Sequence, residues 1–460
     1  MSNAQSTKLA FACIAILLIS IGLSQSWSVA LGILNLCLIS AIMALGVNIQ
    51  WGYAGLFNVG VMGFSALGGM SAVLISQPPV IAAWQAGSNQ LLIALLCFLF
   101  TVMMSVLCYR KMAAGKPRTL TIITIIIVGL FLARYWFDPA VSAIEAIEPA
   151  KTGFLGGLGL PILLSWVIGG VVAAAIAWVI GKIALGLRAD YLAIATLGIS
   201  EIIIAIIKNE DWLTRGVKNV TGLARPVPYE VDLQQSIWFI DFIARWHSST
   251  LAGLSGDDKT EALKQFVIEG SSIFVKLCYV GLFSFVLLII LILSIKALHS
   301  PWGRMMRAIR DNETAAAAMG KDVTRRHLEI FIIGSAVIGV AGAMLTTLDG
   351  QFTPTTYHPL RYTFLIWVMV IVGGSGNNMG AVLGGFLIWL IWIEAEPVGV
   401  WLVEFGTAWM DGNNPLRIHL IDNAQHMRLF FMGLMLLLIL RFRPGGILPE
   451  VIEKRRSSHQ

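Results

Sequence analysis

Of the 460 residues, 57% are hydrophobic and only 13% are charged, and the mean hydropathy is +0.79. A soluble globule carries about twice that share of charge, so the composition excludes one and specifies an all-α polytopic membrane protein. The net charge of +6 therefore reads as a topology signal and not as a nucleic-acid footprint.

The first apolar run, residues 8 to 24, lacks an Ala-x-Ala type cleavage site and is followed at once by a second, about Ser28 to Ile49. It is expected to be a retained span. The second run leads into Gly52-Tyr-Ala-Gly55-Leu-Phe-Asn58-Val-Gly60 and a further apolar stretch to about Ile75. Glycines this dense either let helices pack closely or let the backbone leave helical geometry where it is buried or lines a polar cavity. The Asn58 amide needs a partner at that depth.

Runs at 91 to 109 and 119 to 133 flank Arg110, Lys111, Lys116 and Arg118, a cytoplasmic signature. Spans 160 to 181 and 190 to 208 follow, the second holding Glu201 within an apolar run. A charge there costs a few kcal/mol unless neutralised, paired or wetted, so Glu201 is either near an interface or part of a helix contact or polar passage. Residues 209 to 271 read as a sizeable periplasmic loop.

After span 272 to 297 comes the sharpest polar interruption, 300 to 328. Its excess of Lys and Arg, including Arg304, Arg307 and Arg310, predicts a cytoplasmic loop. Arg304 to Met319 lacks Gly and Pro and is Ala-rich, which predicts one helix capped by Gly320. Arg307 and Asp311 are spaced to pair on that helix, with Met305, Ile309 and Met319 as its apolar side. By composition alone the segment could equally be a solvated basic loop.

Spans near 329 to 347, 362 to 373, 379 to 393 and 429 to 440 complete the series, with a second periplasmic loop at 394 to 427. The last span ends at Arg441-Phe-Arg-Pro-Gly-Gly-Ile-Leu-Pro, and the tail carries Lys454, Arg455 and Arg456. These twelve apolar runs predict about ten to twelve transmembrane helices in one domain, with both termini cytoplasmic. Gly373-x-x-Gly376 followed by Gly380 echoes Gly52-x-x-Gly55 followed by Gly60. Paired Gly-interrupted segments point to an internal repeat around a central passage.

Several chemistries find no support. The five cysteines show no Cys-x-x-Cys pairing and the seven histidines are scattered, so neither a metal site nor a catalytic group is expected. There is no Gly-x-x-x-x-Gly-Lys-[Ser/Thr] to cradle a nucleotide. An ion-coupled secondary transporter is the main rival reading, but its ion sites would rest on Glu201 and Arg134 alone.

Glu313-Thr-Ala-Ala-Ala-Ala-Met-Gly320 resembles the Glu-Ala-Ala and later Gly motif in cytoplasmic loops of ABC-importer permeases. The string Gly303 to Val323 with its flanking spans, together with Thr196-Leu-Gly-Ile-Ser-Glu-Ile202, is similar to the branched-chain amino-acid permease family. At Leu213-Thr-Arg-Gly216, Arg215 and Val217 replace the small residues of the family, and 230 to 270 is an insertion relative to its core.

The resemblance implies that Arg304, Arg307, Asp311, Glu313, Ala316, Ala317 and Gly320 couple to an ATPase. It assigns Gly52, Gly55, Asn58, Gly60, Glu201, Gly373, Gly376 and Gly380 to the translocation path or to helix packing. The implied partners are a homologous second permease chain, two cytoplasmic ATPase subunits, a periplasmic solute-binding protein and membrane lipid, without nucleic acid. ATP would be bound by the partner subunits and this chain would hold no cofactor. The solute class would be branched-chain or other small amino acids, urea or short amides, carried across a bacterial inner membrane.

Overall fold

The computed structural model describes residues 3–149, 152–411 and 414–450. The basic tail residues Lys454, Arg455 and Arg456 lie outside the described residues, as do both ends of the chain whose cytoplasmic side the charge pattern predicts. Among the described residues, nine helices are long and apolar enough to cross a membrane, or ten if one bent pair counts as a span. An all-α polytopic membrane protein is what the composition demands, because only intrahelical bonding satisfies backbone groups in lipid.

The chain opens with α1 (Asn3–Ser24) and α2 (Trp27–Val47), the latter capped by Ser26, whose side chain accepts from Val29 N at 3.1 Å. A π-helical turn (Asn48–Gly52) and an irregular stretch connect α2 to α3 (Val61–Ser76). Next come α4 (Ile81–Lys111) and α5 (Lys116–Glu145), which pack mainly on each other. This hairpin touches the rest of the fold near Ala83, Ile144 and Leu155 and leaves most of its apolar surface outward. Its exposed Arg134 pairs with Asp138 at 2.9 Å.

Helices α6 (Ile162–Ala184) and α7 (Ala189–Asn209) follow. Residues 209 to 271, expected as a loop, instead hold the short helices α8 (Asp211–Thr214), α9 (Glu230–Gln235), α10 (Ile237–Trp246) and α11 (Ser248–Leu251). They also hold the first turns of α12 (Asp257–His299), whose 43 residues extend about 65 Å, twice the hydrocarbon thickness. Phe239 and Ile243 of α10 are buried against α12, with the Phe239 and Phe274 rings 5.8 Å apart.

Past α12 lie α13 (Pro301–Asp311), α14 (Glu313–Ala318) and α15 (Val323–Asp349). Strand β1 (Val220–Thr221) pairs antiparallel with β2 (Gln351–Phe352), Val220 opposite Phe352, tying the segment after α7 to the end of α15. The chain finishes with α16 (Pro359–Gly373), α17 (Asn378–Gly406), α18 (Pro415–Asp422) and α19 (Met427–Phe442). Helix α17 continues through Pro397 well past residue 393, so the loop expected at 394 to 427 begins as helix.

All twelve apolar runs are helical, but three lie in helices shorter than a span. Helices α3, α16 and α19 have 16, 15 and 16 residues, about 22–24 Å against a hydrocarbon core of about 30 Å. Of these α19 reaches span length with the bent α18, whereas α3 and α16 flank the glycine-rich segments. In the first half a long helix, α2, precedes the break and the short one follows. In the second half the short helix precedes it and the long one, α17, follows.

The core is built where small residues let helices approach. A Cβ added at Gly169 of α6 would lie 3.1 Å from Gly68 Cα of α3 and 3.3 Å from Ala343 Cβ of α15. Three helices therefore meet at van der Waals contact on two glycines and an alanine, the packing mode that membrane helices favour. Around that junction Phe331, Ile338, Met344 and Phe64 are buried, and the whole sets the two short helices, with their glycine-rich flanks, into the middle of the fold.

Candidate functional site

Two glycine-rich elbows, 52–60 and 373–380, meet at one place in the fold. Each contains irregular chain, 55–60 and 374–377, largely buried, and each needs side chains to satisfy its backbone. Asn48 of the π-helical turn and Asn58 of the first elbow do this directly and Gln50 holds Asn58 in place, all three fully buried.

The Asn48 amide bridges the two elbows. Its Oδ1 accepts from Gly376 N at 2.8 Å and its Nδ2 donates to Asn378 Oδ1 at 3.2 Å. The Tyr53 hydroxyl donates to the same Asn378 oxygen. Gln50 holds the first elbow against α15, its Nε2 donating to Phe331 O and to Ser335 Oγ, each at 3.0 Å. Its Oε1 accepts from Asn58 Nδ2 at 2.8 Å, and Asn58 Oδ1 in turn accepts from Gly60 N at 2.8 Å. The partner the sequence requires for Asn58 is therefore Gln50. Trp367 Nε1 of α16 donates to Asn58 O at 3.0 Å, and Val59 N donates to Thr196 Oγ1 of α7 at 3.0 Å.

The glycines serve two purposes. Gly55 and Gly376 have φ of +71° and +80°, a left-handed backbone that favours glycine. Close approach is the reason at Gly380, where a Cβ would stand 2.8 Å from both Gly373 O and Gly374 O, and at Gly60, where it would lie 2.6 Å from Thr196 O. Gly52 faces Gly376 N, with 2.6 Å to an added Cβ. All seven glycine and asparagine positions singled out in the two elbows are thus brought together. Glu201 is not: it lies on the exposed side of α7, whose packed side consists of Leu192, Thr196, Ser200, Ile204 and Ile207.

Helices α13 and α14 lie at the same end of the fold as the elbows, since Arg310 Cγ is 3.4 Å from where a Cβ on Gly55 would stand. The single helix expected over 304 to 319 is two helices. Ser300 caps α13, with Pro301 in its first turn, and Asn312 interrupts it, its side chain accepting from Ala315 N at 2.9 Å to start α14. An asparagine competes for backbone hydrogen bonds and favours the N-cap over a helix interior. Gly320, with φ +75°, closes α14: its N–H donates to Ala317 O at 2.9 Å, and Lys321 N donates to Ala316 O at 3.2 Å.

The expected Arg307–Asp311 pair does not form. Arg307 donates to Leu298 O at 3.4 Å, capping the end of α12, while Asp311 accepts from Arg310 Nε at 3.2 Å. Arg304 is exposed and donates to His299 O at 3.0 Å. Ile309 and Met306 are the buried side of α13, whereas Met319 is 80% exposed and lies off that side. Glu313 and Ala317 are exposed, Ala316 is half-buried, and nothing lies within 4 Å of a Cβ added at Gly320. Helix α14 thus presents small side chains outward.

Sequence reasoning missed Asn48, Gln50, Tyr53, Arg310, Trp367, Asn378 and Glu450. A signal existed for three of them. Asn48 and Gln50 sit at the end of an apolar run, and Asn378 follows Asn377 between two others, where an unpaired amide is costly.

Buried polar elbows interrupting apolar helices are an arrangement of membrane transport proteins. The family described as "Branched-chain amino acid transport system / permease component" matches residues 29–440, and the chain belongs to it. It is 26% identical over 249 residues to the high-affinity branched-chain amino acid transport system permease protein LivM of Salmonella typhimurium, covering 54% of this chain and 53% of the relative. It is 27% identical over 252 residues to the Escherichia coli K12 protein of the same description, with the same coverage. A probable branched-chain amino acid transport permease protein LivH of Methanocaldococcus jannaschii is 32% identical over 106 residues, 23% of this chain and 33% of the relative. The matches thus span about half the length of the LivM relatives from Salmonella and Escherichia coli. No solved structure matches.

Replacing Gln50 by Leu strands the Asn58 amide and the Ser335 hydroxyl in the core. We expect it to destabilise the folded state by about 1–3 kcal/mol, read as a lower denaturation midpoint in detergent. Leu96→Ile on the exposed face of α4 should not move the midpoint, and equal midpoints for Gln50→Leu and wild type would show the elbow network to be dispensable.

Proposed function

We propose that this chain is the permease subunit of an ATP-driven importer, providing one wall of the path for branched-chain or other small amino acids. ATP is bound and hydrolysed by two separate cytoplasmic subunits, which dock on α13 and α14, and a periplasmic binding protein delivers the solute. The observation that carries this reading is the placement of α13 and α14. A surface segment with small outward side chains is anchored by Met306 and Ile309 at the end of the bundle where the two elbows meet. A docking site needs close fit outside and a rigid connection inside, and the small side chains of α14 and the buried Met306 and Ile309 support that role.

The basic excess of 300 to 328 and of 110 to 118 supports a cytoplasmic location for both. The acidic balance of 209 to 271 and of 394 to 427 supports the periplasmic side, in a bacterial inner membrane with both termini inside. Relatives of both the LivM and the LivH description match this chain, which supports a pair of homologous permease chains as the membrane unit.

Glu201 fits the same picture. It shares the exposed face of α7 with Ile194, Ile202 and Ile206, and a carboxylate left against lipid costs a few kcal/mol. That face is therefore read as bordering a polar passage or the second permease chain.

Three outcomes are expected. A cysteine replacing Lys259 is labelled from the periplasm by an impermeant maleimide; labelling only from the cytoplasm would invert the topology. Glu201→Leu lowers solute uptake about tenfold or more while the protein remains in the membrane, on the scale of an unpaired intramembrane charge; normal uptake would leave Glu201 merely interfacial. Ala316→Trp and Gly320→Val, the latter forcing a β-branched residue into a left-handed cap, release the ATPases on purification or abolish solute-stimulated hydrolysis. Retention of both properties in both variants would remove the docking assignment.

A further inference from the structure

Beyond α19 the chain turns back and forms a short strap, 443–450, across the second elbow. Gly446, at φ +82°, makes the turn, its N–H donating to Arg443 O at 2.8 Å. Ile447 N then donates to Val372 O at 2.9 Å and Leu448 N to Gly373 O at 3.0 Å. These are carbonyls at the end of α16, which an ordinary helix leaves without intrahelical partners. Asn377 completes the seal. Its Oδ1 caps α17, accepting from Met379 N at 3.0 Å and Gly380 N at 3.3 Å, while its Nδ2 donates to Leu448 O at 3.2 Å and Pro449 O at 3.3 Å.

The far end of the strap is held by an ion pair with the docking segment. Glu450 Oε2 accepts from Arg310 Nη2 at 2.9 Å, with the two side chains 19% and 23% exposed. A pair this enclosed is screened far less than a surface one. The same guanidinium donates through Nη1 to Gly52 O in the first elbow and through Nε to Asp311. A Cβ on Gly376 would lie 2.8 Å from the Glu450 carboxylate and 3.2 Å from Arg310 Nη1. One side chain of α13 therefore touches both elbows and the strap at once.

We propose that residues 443–450 are a coupling strap, with Arg310 and Glu450 as its positioning residues. Movement of α13 pulls on the second elbow through Glu450 and on the first through the Gly52 carbonyl, so the two elbows shift together. The fixed geometry favours this over a merely anchoring role. Arginine presents several donors in a rigid fork, so Arg310 cannot move with α13 and keep both Gly52 O and Glu450 unless those elements follow. The Asn48 amide, bonded to Gly376 N and to Asn378, carries the shift between the elbows. This inference rests on the importer reading given above.

The test uses the intact complex with its ATPases and binding protein in lipid nanodiscs. It measures the ratio of solute-stimulated to basal ATP hydrolysis and, on the same preparations, amide hydrogen exchange. In Glu450→Gln we expect exchange of the Ile447 and Leu448 amides to accelerate and the ratio to fall, each by about tenfold, the scale of a lost charge-assisted hydrogen bond. Glu450→Asp, which keeps the charge, should recover part of the ratio. Arg310→Met should lower it at least as far as Glu450→Gln and speed exchange in both elbows.

Faster strap exchange with the ratio within about twofold of wild type would overturn the proposal and leave the strap a structural seal. Unchanged exchange and an unchanged ratio in both variants would overturn it as well. A wild-type complex that shows no solute stimulation would instead overturn the importer reading on which the strap depends.

Discussion

Irregular backbone inside a membrane must have its N–H and C=O groups satisfied by protein, and in the two elbows of this chain the buried Asn48 and Asn58 amides accept from elbow N–H groups while Gln50 holds Asn58 in place. Asn48 has a carbonyl and an NH₂ group to offer, and both are used across the elbow junction. Gln50 spends its NH₂ on α15 and its carbonyl on Asn58. The rest of the architecture follows. Short α3 and α16 can end beside α13 because their loose ends are bonded by protein, and α2, α15 and α17 pack around them.

That packing depends on small residues elsewhere. The Gly68, Gly169 and Ala343 junction lets α3, α6 and α15 approach to van der Waals contact. The α4–α5 hairpin shows the contrast. Its exposed Leu, Ile, Phe and Met side chains form an apolar surface suited to acyl chains, and its attachment to the body near Ala83 and Ile144 is narrow. The tightly packed bundle and the loosely attached hairpin thus divide the apolar residues between helix contacts and lipid.

The surface segment gains its definition from caps. Ser300, Asn312 and Asp322 each accept a hydrogen bond from a backbone N–H at the start of a helix, and Gly320 closes α14. A break at Asn312 lets α14 leave the direction of α13, so α13 can bury Met306 and Ile309 while α14 remains outside. A continuous helix over the same residues would have imposed one direction on both.

The sequence alone determined the fold class and the twelve apolar helices, because apolar run length and charge placement are local properties set by the cost of exposing backbone and charge to lipid. It also identified Gly52, Gly55, Asn58, Gly60, Gly373, Gly376 and Gly380, since glycine and an amide in an apolar run are anomalies visible without a partner. The tertiary structure decided which groups these residues meet. Arg310 and Glu450 are 140 positions apart, and Asn48 bonds to residues 328 and 330 positions away. Nothing in local spacing ranks Arg310 over Arg307, because both face one helix and only the opposing elbow and strap distinguish them. Glu201 marks the same limit: its sequence context gave its cost, but whether that cost is met inward or outward depends on which side of α7 the neighbouring helices cover.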